Sequence, residues 1–220
     1  MIDTEVPHLS HMGDLSVLFV MATEQEYGPF LRHLITPIIT GVGPVEGAAA
    51  TGAALGRLAA AGRTPNLVFS LGSAGSRTLE HAGIYQIASV AYRDMDVTAL
   101  GFAKGVTPFA DLPAVIPIPH HIPGVAAASI STGANIVSGA AYDAIDADMV
   151  DMESFAVLRA AHRFGVPMIG LRGISDGRNE LTGMHDWVEY LHVIDQKLAV
   201  TLEDFAGAVT SGRFRLGAAP

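Results

Sequence analysis

The sequence predicts an α/β protein: a single domain with a central mixed, largely parallel sheet flanked by helices. Three observations lead there. Short continuous apolar runs alternate with segments of helical periodicity, as expected for strands buried on both faces and joined through helices. Small and polar residues, glycine prominent among them, follow those runs and mark strand ends. At 220 residues, 50% hydrophobic and only 16% charged, the chain is long and apolar enough for one substantial core.

Residues 1–15 are polar and aperiodic and are expected to lie outside the fold, as a disordered extension or appended sequence. Residues 16–22 (SVLFVMA) read as the first strand. Thr23 to Glu26 then lead into Tyr27, Phe30, Leu31 and Leu34 at helical spacing, a cap followed by a helix. Residues 35–42 give a strand ending in Gly41-Val42-Gly43-Pro44, and 45–61 a long Ala/Gly helix suited to close packing. A buried strand over 66–71 runs into Gly72-Ser73-Ala74-Gly75, and a β-branched strand over 84–92 reaches Arg93-Asp94. Between 96 and 124, Pro108, Pro113, Pro117, Pro119 and Pro123 forbid a long regular element, so this is read as a functional loop. Strands over 126–131, 147–152 and 167–174 follow, with a helix over 154–164 and a last helix over 187–205. The domain is expected to span 16–208, with 209–220 a flexible tail.

Composition removes several functions. Thirteen Lys+Arg against 22 Asp+Glu give a net charge of −9, which opposes a phosphate backbone, so no nucleic acid partner is expected. The absence of cysteine excludes disulfides, Cys-ligated zinc, iron–sulfur clusters and a thiol nucleophile, and it fits a reducing compartment, the cytoplasm by default. No apolar run reaches the roughly 18 residues a membrane span needs. Asp3, Glu5 and Asp14 occupy the region where a secretion signal would be basic, so neither anchor nor leader is expected. The nine histidines include no HExxH, and neither metal nor cofactor is expected. Ser73 and Ser175 lack the G-x-S-x-G elbow of many serine hydrolases.

Ligands of open α/β sheets sit at the carboxyl ends of strands, which directs attention to the loops there. Thr23-x-x-Glu26 fits a capping box, in which the acid serves the backbone; equally, a carboxylate at a strand end can act as a general base on water. Gly72-Ser73-Ala74-Gly75 is either a tight turn or a place of close backbone approach to a ligand, and without Gly-Lys-Ser/Thr it is no P-loop. Asp151-Met152-Glu153 either complements a helix dipole or offers a carboxylate to two neighbouring sugar hydroxyls. Arg172, Ser175 and Asp176 close the next strand, where Asp176-Gly177 is also an ordinary turn pair. Four polar clusters at the strand ends of one sheet have the convergence a site requires.

With these clusters assembled, the chain resembles the methylthioadenosine/S-adenosylhomocysteine nucleosidases of the nucleoside phosphorylase superfamily over about residues 17–205. The anchors, in order, are Ala22-Thr23-Glu24-Gln25-Glu26, Gly41-Val42-Gly43, Gly72-Ser73-Ala74-Gly75, Asp96-Val97-Thr98-Ala99-Leu100-Gly101, Val150-Asp151-Met152-Glu153 and Arg172-Gly173-Ile174-Ser175-Asp176. The resemblance implies a three-layer nucleoside-phosphorylase-like fold and hydrolysis of an adenine nucleoside through an oxocarbenium-like transition state. It implies that Glu26 deprotonates the attacking water, with Ser73 and Arg172 ordering water and sugar. Glu153 would accept the ribose hydroxyls beside Asp151, with Met152 beneath the sugar and Val42 and Ala74 lining the site. Asp176 would share a proton with purine N7, positioned by Ser175. Val137 would meet the adenine edge and Ile136 its face. Trp187 and Tyr190 would close the 5′ pocket, unless Tyr190 merely anchors its helix. A homodimer is implied, with Val97, Leu100, Phe102 and Pro108 completing the partner's pocket.

This sequence departs from the family pattern at Thr23, Ile136 and Asp151, where the family usually has Met, an aromatic and Glu, and it is short between Phe30 and Gly41. Two alternatives stay open: a purine nucleoside phosphorylase, disfavoured because a phosphate would meet acids in the first loop, and a non-catalytic nucleoside-binding protein.

Overall fold

The apolar runs become strands largely where expected. The computed structural model describes residues 5–177 and 183–217. Its strands are β1 (Ser10–Met12), β2 (Leu15–Met21), β3 (Ile38–Ile39), β4 (Leu67–Gly75), β5 (Ile84–Tyr92), β6 (Val115–Pro117), β7 (Ala127–Thr132), β8 (Met149–Asp151) and β9 (Met168–Asp176). Its helices are α1 (Pro29–Arg32), α2 (Pro44–Ala60), α3 (Ser154–Arg163), α4 (Met184–Val188) and α5 (Leu191–Thr210).

The sheet is mixed. β2–β3, β2–β4, β4–β9, β5–β7 and β7–β8 pair in parallel, while β1–β2, β4–β8, β5–β6 and β5–β9 pair antiparallel. The pairings β4–β9–β5–β7–β8–β4 close on themselves into a five-stranded ring, which leaves those strands no open edge. β8 touches β4 only at Gly75↔Val150, so the carboxyl ends of two oppositely directed strands meet there. A register shift at Ala74/Gly75 leaves Ser175 as an extra residue on β9, a bulge of the kind that re-aims side chains beside sites.

The core runs through Phe19, Phe69 and Phe205, all fully buried, with Phe19–Phe69 centroids 5.3 Å apart and Phe69–Phe205 5.2 Å apart. Each buried side chain of this size contributes about 1.5–3 kcal/mol of transfer free energy. α2 lies close to α3 because Gly47 has no side chain: a Cβ there would sit 3.4 Å from that of Ala156.

Four expectations are corrected. Residues 9–12 are not outside the fold: Leu9 and Met12 are core residues, and β1 forms a hairpin on β2 across Gly13-Asp14, with Gly13 at φ 59°. Residues 1–4 lie outside the described residues. The tail begins late, since α5 runs to Thr210 and Phe214 packs 4.9 Å from Phe205; residues 218–220 are outside the description. The helix expected after Thr23 shrinks to α1, whose N-terminus is held by buried Asp195 of α5, accepting from the Phe30 and Leu31 amides at 2.9 and 3.0 Å. Finally, the last helix is two, α4 and α5, with Tyr190 between them stacked edge-on against His81 at 5.2 Å. Tyr190 thus anchors a helix start.

Candidate active site

A cavity of about 740 Å³ opens where β4, β8 and β9 end. Glu26, Val42, Ser73, Ala74, Ile136, Val137, Asp151, Met152, Glu153, Asp176 and Trp187 all line it, so eleven residues singled out from the sequence converge. Arg172 and Ser175 lie behind its wall, and Val97, Leu100, Phe102 and Pro108 lie elsewhere, on the 96–114 loop. Arg93, Asn135 and Ser138 line it as well and were not singled out; Arg93 had only its position at a strand end to signal it.

Glu26 is no capping box. No helix starts beside it, and its Oε1 accepts both the amide and the hydroxyl of Ser73, each at 2.7 Å, while Oε2 takes Thr23 Oγ1 at 3.3 Å. Gly72 permits this approach, since a Cβ there would stand 3.0 Å from Oε1. Trp187 on α4 donates its indole N–H to Ser73 Oγ at 2.9 Å.

Asp151 and Arg172 direct their side chains to each other and to the framework. Both are buried, and they pair at 3.1 Å. Asp151 Oδ1 accepts Thr132 Oγ1 and Oδ2 accepts the Ser154 amide at the start of α3. Arg172 also donates to Ser70 O and Oγ, Leu171 O and Ser154 Oγ. The guanidinium therefore fixes the framework and supplies a counter-charge beneath the carboxylates. It also borders, with Glu26, Ser73 and Glu153, a small void of about 10 Å³, close to the least that holds one water.

Glu153 accepts the Gly43 amide at 2.7 Å, in a turn where Gly41 and Gly43 adopt φ 85° and 102°. Burial, reinforced by the negative charge of Asp151, pushes its carboxyl up to about 7, against the pull of Gly43 N–H and Arg172. Between pH 4.5 and 7 the folded state then holds a proton that the unfolded chain has lost, so stability falls as pH rises through that window and levels off above it. Glu153→Gln should flatten this slope, leaving the variant about 2 kcal/mol better off at pH 8 than at pH 4.5 relative to the wild type, after discounting for solvent screening. Chemical denaturation at several pH values measures it, and an unchanged slope would refute the assignment.

Asp176 is raised as well, chiefly by burial, against the Ser175 hydroxyl that donates to Oδ1 at 2.6 Å and the positive end of His81. Its Oδ2 lies 2.9 Å from where a Gly75 Cβ would be, so only glycine fits there. Tyr142 Oη crowds the same glycine, and burial followed by the Asp176 charge raises that phenol. Arg93 Nη1 donates to the Ser131 and Asp151 carbonyls and Nη2 to the Asn135 carbonyl, tying the 135–138 wall to β7 and β8. Among the described residues no cluster of three metal-ligating side chains occurs, and no helix is long and apolar enough to cross a membrane.

A protein-family model described as Phosphorylase superfamily matches residues 131–205. A 5′-methylthioadenosine/S-adenosylhomocysteine nucleosidase of Actinobacillus succinogenes is 32% identical over 165 residues, 66% of this chain and 69% of that protein. Among solved structures, a futalosine hydrolase mutant of Helicobacter pylori superposes with a TM-score of 0.72 at 19% identity, covering 87% of this chain and 98% of the other. The Neisseria meningitidis 5′-methylthioadenosine/S-adenosylhomocysteine nucleosidase in complex with methylthio-immucillin-A gives 0.71 at 22% identity, covering 89% and 98%. Both share the α/β fold with its mixed sheet. At 32% identity and matching over more than two thirds of a curated relative, this chain belongs to the 5′-methylthioadenosine/S-adenosylhomocysteine nucleosidase family.

Proposed function

We propose that the chain hydrolyses the N-glycosidic bond of a 5′-substituted adenine nucleoside, 5′-methylthioadenosine or S-adenosylhomocysteine, to adenine and the free thioribose sugar. One observation carries this reading: two carboxylates with different hydrogen-bond donors, Glu26 held by Ser73 and Asp176 by Ser175, line one cavity. Glu26 meets β4 at Gly72 and Ser73, and Asp176 meets it at Gly75. These contact points stand two to three residues, roughly 7 to 10 Å, apart along the strand.

Asp176, whose hold on a proton burial strengthens, gives a proton to purine N7 as the C–N bond breaks, so the base leaves neutral. Glu153, ionised above its raised pKa, accepts the ribose hydroxyls, and its charge stabilises the developing oxocarbenium. Glu26 takes a proton from the water whose oxygen bonds to the sugar carbon. Val137 and Ile136 serve the adenine, and Met152 packs beneath the sugar. Against phosphorolysis, among the described residues the two guanidiniums beside the cavity and its floor, Arg93 and Arg172, turn their Nη groups to carbonyls and to Asp151.

The reading includes a homodimer. Leu100 and Phe109 are 75% and 99% exposed on the 96–114 loop, where Phe102 meets Phe109 edge-to-face at 5.9 Å. Such surface suits a second copy, to whose 5′ pocket Val97, Leu100, Phe102 and Pro108 would be contributed.

Adenine and free sugar should appear from 5′-methylthioadenosine or S-adenosylhomocysteine without phosphate, and activity per chain should fall on dilution as the dimer dissociates. Release that required phosphate would establish a phosphorylase instead. Binding of these nucleosides without release would establish a binding protein, and activity per chain that did not change down to the monomer would remove the partner's role.

A further inference from the structure

The hydrogen bonds around Glu26 extend beyond the cavity's floor to α4. An indole N–H only donates, so Ser73 Oγ must be the acceptor of the 2.9 Å bond from Trp187 Nε1. The hydroxyl has one proton, and with Trp187 occupying an Oγ lone pair, that proton points to Glu26 Oε1 at 2.7 Å. Oε1 also receives the Ser73 amide at 2.7 Å. It is thereby filled by two short bonds, whereas Oε2 has only the 3.3 Å contact from Thr23. The order of donors leaves Oε2 as the oxygen free to take a proton from water.

We propose that Trp187 is a positioning residue for Glu26, acting through the Ser73 hydroxyl, so that the seating of α4 over the cavity sets the orientation of the base. The proposal rests on Glu26 acting as the base in the reaction above. It differs from a pocket-wall role for Trp187 because it requires the indole nitrogen, not merely the ring. α4 is a five-residue helix joined to α5 at Glu189 and Tyr190, and Trp187 bonds it to the carboxyl-terminal part of β4. When that bond is absent, the Ser73 hydroxyl can turn to water and Glu26 loses one of two restraints on Oε1.

Trp187 is the single tryptophan of the chain, so intrinsic fluorescence reports this one bond without reference to turnover. Ser73→Ala should shift the emission maximum of the unliganded protein while the far-ultraviolet circular dichroism stays the same. Trp187→Phe, which keeps a flat ring and loses the donor, should lower kcat about fivefold to tenfold, the effect of one neutral hydrogen bond, with KM changed less than about twofold. Combined with Ser73→Ala it should cost nothing more than Ser73→Ala alone. An unmoved emission maximum, a Trp187→Phe effect confined to KM, or full additivity of the two substitutions would each overturn the proposal. Should the wild-type chain prove unable to hydrolyse any adenine nucleoside, the functional reading fails, and the emission experiment still decides whether Trp187 and Ser73 are bonded.

Discussion

Asp176→Asn is expected to abolish purine release, lowering kcat by about 10²- to 10⁴-fold, while nucleoside affinity stays within a few-fold. The substitution nearly preserves shape. The asparagine carbonyl can still accept the Ser175 hydroxyl that now meets Asp176 Oδ1 at 2.6 Å, and the tight space over Gly75 is respected. What disappears is the transferable proton. An amide can hydrogen-bond to N7 but cannot protonate it, so the base would have to leave as an anion. Burial is what equips the native carboxyl for the task, since it holds the proton to higher pH than an exposed aspartate would. Steady-state kinetics with 5′-methylthioadenosine, paired with a binding titration, separate the two quantities. Turnover within tenfold of the wild type would remove Asp176 as the acid, and a parallel collapse of affinity would make it a binding residue.

Glu26→Gln should be comparably severe, again about 10²- to 10⁴-fold in kcat, for the opposite reason. Here the site must accept a proton from water. A glutamine can keep its oxygen toward the Ser73 amide and hydroxyl, both at 2.7 Å from Oε1, but it then turns an NH₂ group toward the attacking water where Oε2 stood. The fold should survive, because the bonds to Ser73 are retained. A single-turnover experiment distinguishes slow chemistry from slow product release. If the variant hydrolysed substrate at near wild-type rate in a single turnover, the base would have to be sought among Glu153 and its neighbours.

The two carboxylates also illustrate how far the sequence could be read. The position of Asp176 at the end of an apolar run and next to Ser175 identified it as a candidate, and in the structure the Ser175 hydroxyl donates to its Oδ1. Glu26 was ambiguous: Thr23-x-x-Glu26 satisfies the local rule for a helix cap equally well. That ambiguity ends with Ser73, 47 residues away, which occupies Oε1. Asp151 and Arg172 were legible as strand-end polar residues but not as each other's partners. Their mutual bond and those to Ser70, Thr132 and Ser154 turn these groups to the framework. Arg93 shows the converse case, a site residue whose local sequence carries no motif.

By itself the sequence determined the succession of strands and helices, because continuous apolar runs and helical periodicity are properties of neighbouring residues, and it determined that acids and small residues cluster where those strands stop. The hairpin of residues 10–15, the shortening of α1 under Asp195 and the closed ring of β4, β9, β5, β7 and β8 were decided by tertiary structure. So was the distribution of donors among four carboxylates, with Ser73 on Glu26, the Gly43 amide on Glu153, Ser175 on Asp176 and Arg172 on Asp151. A side chain's role depends on which donor reaches it and how much water is excluded around it, and both are set by residues tens to more than a hundred positions distant, brought together only when the core closes.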